Sequence, residues 1–126
     1  MRIFPVFPIL IAFAAADAAS GGGDGQASPV AEIVTYRVKQ GVSTDALLDA
    51  ARATEPFLAS TGAVLSRSLS RDDDGLWTDY ILWTSLEAAK ATEAKAMERS
   101  EFQTFFAMME EESTQLRHAR VLMQMD

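Results

Sequence analysis

The sequence predicts an α+β domain with four antiparallel strands and two helical regions in the order β-α-β-β-α-β, the split βαβ arrangement of ferredoxin-like folds. Three observations predict it. Strand-like runs rich in β-branched and aromatic residues alternate with helical patterns; helix-capping signals separate them; and a short acidic loop with glycine joins the two middle strands. Right-handed crossovers then place the first and last strands side by side.

The first strand is read at Ala31 to Val38, AEIVTYRV, and stops at Lys39-Gln40-Gly41. Ser43 opens a helix as N-cap, Asp45 suits its positive end, and Leu47, Leu48, Ala51, Thr54 and Leu58 form one largely apolar face. Pro56 kinks or ends this helix, and Gly62 supplies a C-terminal cap. Ala63 to Ser70 and Leu76 to Thr84 form a hairpin around Arg71-Asp-Asp-Asp-Gly75. The three aspartates are read as a solvated turn, because a calcium loop needs further ligands at fixed spacing and a distal glutamate.

Thr84-Ser-Leu-Glu87 has the form of a capping box and starts the second helical region at Ser85. Ser100-Glu-Phe-Gln103 repeats that chemistry, so this region is expected in two pieces, the second bearing Phe102, Phe105, Phe106 and Met109. Glu110 to Glu112 reads as a solvated helix end, and Leu116 to Met125 as the last strand.

Two segments precede the domain. Residues 1–18 have the pattern of a cleavable export signal, with Arg2 before an apolar stretch of 14 residues, Ile3 to Ala16, and small residues at Ala16 and Ala18. This predicts a secreted or periplasmic protein with no stable membrane association once the leader is removed. Residues 19–29, rich in glycine, read as a flexible linker, leaving 30–126 as one domain. The chain of 126 residues contains no cysteine, which excludes disulfides, thiol catalysis and cysteine-held zinc. Its formal net charge of -7 disfavours nucleic acid and anionic membranes as partners. With helices on one face only, the sheet needs cover on its other face, and a second copy packed face to face supplies it.

The element order, the EIVTYRVKQGV opening, the WTSLEAA junction and the broken second helix with SEFQTFF resemble the antibiotic biosynthesis monooxygenase domains, a group of dimeric α/β barrels. The resemblance runs from Ala31 to Met125 and implies a homodimer. It also implies one of three roles: cofactor-free oxygenation of polyphenolic molecules, heme breakdown, or no assigned reaction. The heme-degrading branch implies an asparagine on the first strand and a tryptophan and a histidine on the second helical region. Tyr36 stands where that asparagine belongs, and Ser85 to Glu112 contains neither tryptophan nor histidine. The cofactor-free branch implies a pocket of tryptophan, tyrosine, arginine and amide side chains, parts of which Trp77, Trp83, Tyr36, Tyr80 and Arg67 can supply.

Asp79 is a carboxylate inside a strand otherwise suited to burial. Closing the hairpin with Ser70 opposite Leu76 sets Arg67 opposite Asp79, on one face with Leu65, Leu69, Trp77, Ile81 and Trp83. The structural reading is an ion pair at a dimer face; the catalytic reading makes Asp79 a base or acceptor and lets Arg67 polarise a phenolate. His118 is either a satisfied interface residue or a general base, and with no second histidine or cysteine no metal site is expected. Candidate catalytic residues are therefore Asp79, Arg67 and His118, and candidate substrate-binding residues are Tyr36, Tyr80, Trp83, Phe102, Phe106 and Met109.

The functional expectation is an exported homodimeric domain that binds a small apolar or aromatic molecule, as a monooxygenase without cofactor. The alternatives are a non-catalytic binding or assembly module, and heme binding without breakdown through His118. Ligand binding calls for a pocket of roughly a few hundred Å³ lined by Tyr36 or Tyr80 and the Phe102 to Met109 helix. The module reading predicts a small or dry interior.

Overall fold

The computed structural model describes residues 28–125. The expected leader, and the linker up to residue 27, lie outside the described residues. Strand β1 (Val30–Tyr36) leads to helices α1 (Thr44–Ala53) and α2 (Glu55–Ser60), the hairpin β2 (Val64–Arg71) and β3 (Trp77–Trp83), helices α3 (Leu86–Ala96) and α4 (Ser100–Ala107), and strand β4 (Gln115–Arg120). The sheet order is β2-β3-β1-β4 and every pairing is antiparallel, so the predicted adjacency of first and last strands holds. No helix among the described residues is long and apolar enough to cross a membrane.

Local chemistry explains most boundaries. The Ser43 hydroxyl accepts the Ala46 N-H and caps α1. Pro56 sits in the first turn of α2, where its missing N-H costs nothing, so the helical region breaks at Thr54. Gly62 follows α2 with φ of +70°, the left-handed geometry that a glycine cap provides.

Two caps differ from expectation. Helix α3 starts at Leu86, because Ser85 is the extended residue whose hydroxyl accepts the Ala88 N-H, in place of Thr84. Ser100 lies inside α4, and Arg99 holds the N-cap position without a side-chain hydrogen bond. The last strand ends at Arg120, short of Met125. Glu111–Ser113 form one 3₁₀ turn, with Glu111 and Glu112 exposed as read from the sequence.

The hairpin register differs by two residues. Arg67 stands opposite Ile81, and Asp79 opposite Leu69, because the turn is shorter than assumed. Asp72 Oδ1 accepts the N-H groups of Asp74 and Leu76, and Gly75 adopts φ of +88°. This is a tight turn held by an aspartate, and it keeps that carboxylate occupied with backbone. An even slip leaves each side chain on its predicted face. At the other end a bulge between Val64 and Ser66 frees Leu65, which is 54% exposed where the sequence placed it on the face of Arg67 and Asp79.

The helices cover one sheet face. Leu47 and Ala51 of α1, Phe105 of α4 and Met109 pack with Tyr36 and Trp77 of the sheet; Leu58 of α2, Ala89 and Ala96 of α3 and Phe102 of α4 pack with Ile81 and Trp83. Phe106 packs against both clusters. On the opposite face no helix or strand among the described residues is layered over Tyr80, which is 38% exposed, and Ile33 beside it is half-buried.

Candidate functional site

A cavity of about 70 Å³ lies between the sheet and helices α3 and α4. Its sheet wall is Val34, Ile81, Trp83 and Leu116; its helix wall is Met97, Phe102, Phe105, Phe106 and Met109. Two polar groups reach this apolar space, Arg67 with Asp79 and Glu32 with Glu93.

Arg67 and Asp79 pair as the residue types suggested, although not as direct cross-strand neighbours. The guanidinium reaches diagonally along β3, with Nε to Asp79 Oδ1 at 2.9 Å and NH2 to Oδ2 at 2.7 Å. Its NH1 donates to the Ala51 carbonyl and to Thr54 Oγ1. Phe105 lies under it at 5.7 Å. Burial pulls the Arg67 pKa down, but the hydrogen bonds and charge of Asp79 outweigh it and the pKa is raised. The pair therefore faces α1 and α4; the expected dimer-face position is corrected by the hydrogen bonds to Ala51 and Thr54. A bidentate pair with its third nitrogen also engaged acts as a strut between hairpin and helix.

Sequence reasoning missed the second group. Glu32 on β1 stands directly opposite His118 on β4, and Glu93 descends from α3 onto both. His118 Nε2 lies 2.7 Å from Glu93 Oε2 and 4.0 Å from Glu32 Oε1. Trp83 Nε1 donates to Glu32 Oε1 at 2.9 Å. The signal was present in the first strand: Glu32 interrupts a buried run as Asp79 does, at the same parity as Val34 and Tyr36. His118 thus sits on the helix-covered face with its side chain 5% exposed, away from the expected interface.

Burial, then the charge and hydrogen bond of Glu93, hold the Glu32 carboxyl well above the usual carboxylate range; His118 opposes this less strongly. Glu93 is also raised by burial, against the hydrogen bond from Glu32 and the charge of Lys90. Both carboxyl groups are pushed upward, so the pair holds on to a proton more strongly than free carboxylates do. A pKa raised on folding gives a definite sign: the folded chain keeps a proton that the unfolded chain releases above about pH 4.3, so stability falls as pH rises from there toward the folded pKa. In chelator-treated protein, Glu32→Gln is expected to gain on the wild type as pH rises from 4 to 8. Urea midpoints across that range measure it, and a pH-independent difference contradicts it.

The remaining predicted residues separate. Trp83, Phe102, Phe106 and Met109 line the cavity. Tyr36 packs beside it, edge-on to Phe105 at 6.3 Å, with its hydroxyl buried and no hydrogen-bond partner among the described residues. Burial first, and Asp79 second, push its pKa up, so it stays a neutral phenol. Tyr80 lies on the opposite sheet face.

Comparison with known proteins identifies the architecture. No family profile matches the chain, and no curated protein matches it. Solved structures do. A candidate antibiotic biosynthesis monooxygenase of Bordetella bronchiseptica superposes with a TM-score of 0.64 at 14% identity, over 76% of this chain and 99% of that one. This chain has the fold of those domains. A candidate enzyme of the same name from Nitrosomonas europaea gives 0.60 at 17% identity, over 77% and 93% of the two chains. SnoaB, a cofactor-independent oxygenase from Streptomyces nogalater, gives 0.54 at 14%, over 79% and 97%.

Proposed function

We propose that the domain works as an exported homodimer that takes a small apolar or aromatic molecule between sheet and helices and oxygenates it without a cofactor. The observation that carries this reading is the aromatic-walled cavity in a fold shared with a cofactor-independent oxygenase. Dimerisation is supported by the sheet face carrying Ile33 and Tyr80, which no second layer covers among the described residues. Export is supported by the leader pattern of residues 1–18.

Volume decides how a ligand can enter. About 70 Å³ is well below the roughly 300–1,000 Å³ of ordinary ligand pockets, so an aromatic ring enters by displacing adaptable walls such as Met97 and Met109. A porphyrin has no room there, which disfavours heme binding through His118. The same small volume favours a second reading, a non-catalytic binding or assembly module.

Oxygen uptake with anthrone and a panel of hydroquinones, in chelator-treated buffer, separates the two. The oxygenase reading expects uptake that is lost when Phe102→Trp fills the cavity in a folded protein. No uptake across the panel overturns it and leaves the module.

A further inference from the structure

We propose that Glu32, Glu93 and His118 form a binding site for a divalent first-row transition ion. Three elements converge to build it: Glu32 and His118 are cross-strand partners on β1 and β4, and Glu93 reaches them from α3. One donor atom from each lies within 4.8 Å of the others. Metal bonds of about 2.0–2.2 Å hold donors roughly 3–3.5 Å apart, so small side-chain rotations bring all three into range.

Charge supplies a second, independent argument. Arg67 is the cation that lines the cavity, and Asp79, Ala51 and Thr54 occupy its guanidinium nitrogens. It is therefore engaged away from Glu32 and Glu93, while Lys90 acts on Glu93 from the same helix. A divalent ion brings positive charge to the Glu32, Glu93 and His118 donor atoms in surroundings that are otherwise apolar.

The setting also has the parts of a coordination site. Trp83 Nε1 donates to Glu32 Oε1, which fixes the orientation of a ligand oxygen from outside the site. Glu32 and Glu93 border the cavity, which leaves room for water or a small ligand at the remaining coordination positions. One imidazole with two carboxylates suits zinc, manganese, iron(II) or cobalt, whereas calcium and magnesium favour oxygen alone.

The test uses the chain without a polyhistidine tag, stripped with chelator and desalted, and Zn²⁺, Mn²⁺ and Co²⁺ as probes. Calorimetry is expected to show one ion bound per chain. Co²⁺ should develop visible absorption bands of a low-symmetry site. Glu93→Gln and His118→Gln should each weaken binding by about 100-fold, and Trp83→Phe by about 10-fold, with folding checked by circular dichroism. If one variant does not fold, Glu32→Gln replaces it. No binding of any of the three ions at millimolar concentration overturns the proposal, as does binding that these substitutions leave unchanged. The readout needs no oxygenase activity, so it stands or falls separately from the proposed reaction.

Discussion

Asp79→Asn is expected to destabilise the domain by about 3–5 kcal/mol, because it leaves the Arg67 guanidinium buried without its counter-charge. Asp79 is 4% exposed and accepts two hydrogen bonds from Arg67, so water cannot substitute for the lost carboxylate. At about 4–8 °C per kcal/mol for a domain near this size, the melting temperature should fall by at least about 12 °C. Arg67→Met combined with Asp79→Leu should restore most of that loss, since buried pairs replaced by apolar groups are often neutral or stabilising. Thr54 Oγ1 still donates to the Ala51 carbonyl in the double variant, so no acceptor is stranded there. Thermal melts of the four proteins in the cycle measure the coupling. A folded, stable Asp79→Asn protein that has lost turnover would instead make Asp79 a catalytic group.

Phe105→Ala is expected to cost about 3–5 kcal/mol and to create a site for small aromatic molecules. Phe105 is 2% exposed, stacks against Arg67, meets Tyr36 edge-on and packs at 5.9 Å from Phe106. Because it already forms part of the cavity wall, its removal joins a ring-sized void to the existing 70 Å³. Apolar cavities of that kind stay dry and accept benzene-like guests. Benzene or toluene at about 100 times its dissociation constant should return about 2.7 kcal/mol. Melting temperatures with and without the guest test this. A loss below about 1 kcal/mol, or no recovery with either guest, would show that the helices collapse into the space.

The sequence revealed the parts of this fold governed by local chemistry. Alternation along β3 put Asp79, Ile81 and Trp83 on one face, and that survived the two-residue register difference because the side-chain period is two. Turn length was not legible: Arg71-Asp-Asp-Asp-Gly75 can close as five residues or as a tighter loop, and only the Asp72 hydrogen bonds decide. Nor was the choice between Thr84 and Ser85 as cap, since either hydroxyl can accept an N-H one turn ahead.

The Glu32, Glu93 and His118 cluster was hidden for a different reason. Its members are separated by most of the domain, and only the adjacency of β1 with β4, together with the descent of α3, brings them together. Asp79 interrupts a buried strand, and its partner Arg67 lies just across the hairpin, so the pair could be read together. Glu32 carried the same local anomaly, but its partners lay far along the chain.

The bulge at Leu65 also governs how the sheet can grow. Strand β2 is an outer strand, and its irregular start breaks the even ladder of N-H and C=O groups that another strand would need. At the other border, β4 is six residues long and exposes Arg117 and Arg120. Both borders therefore resist strand addition, which blocks open-ended polymerisation through the backbone. The homodimer proposed above would then have to form through the face around Ile33 and Tyr80.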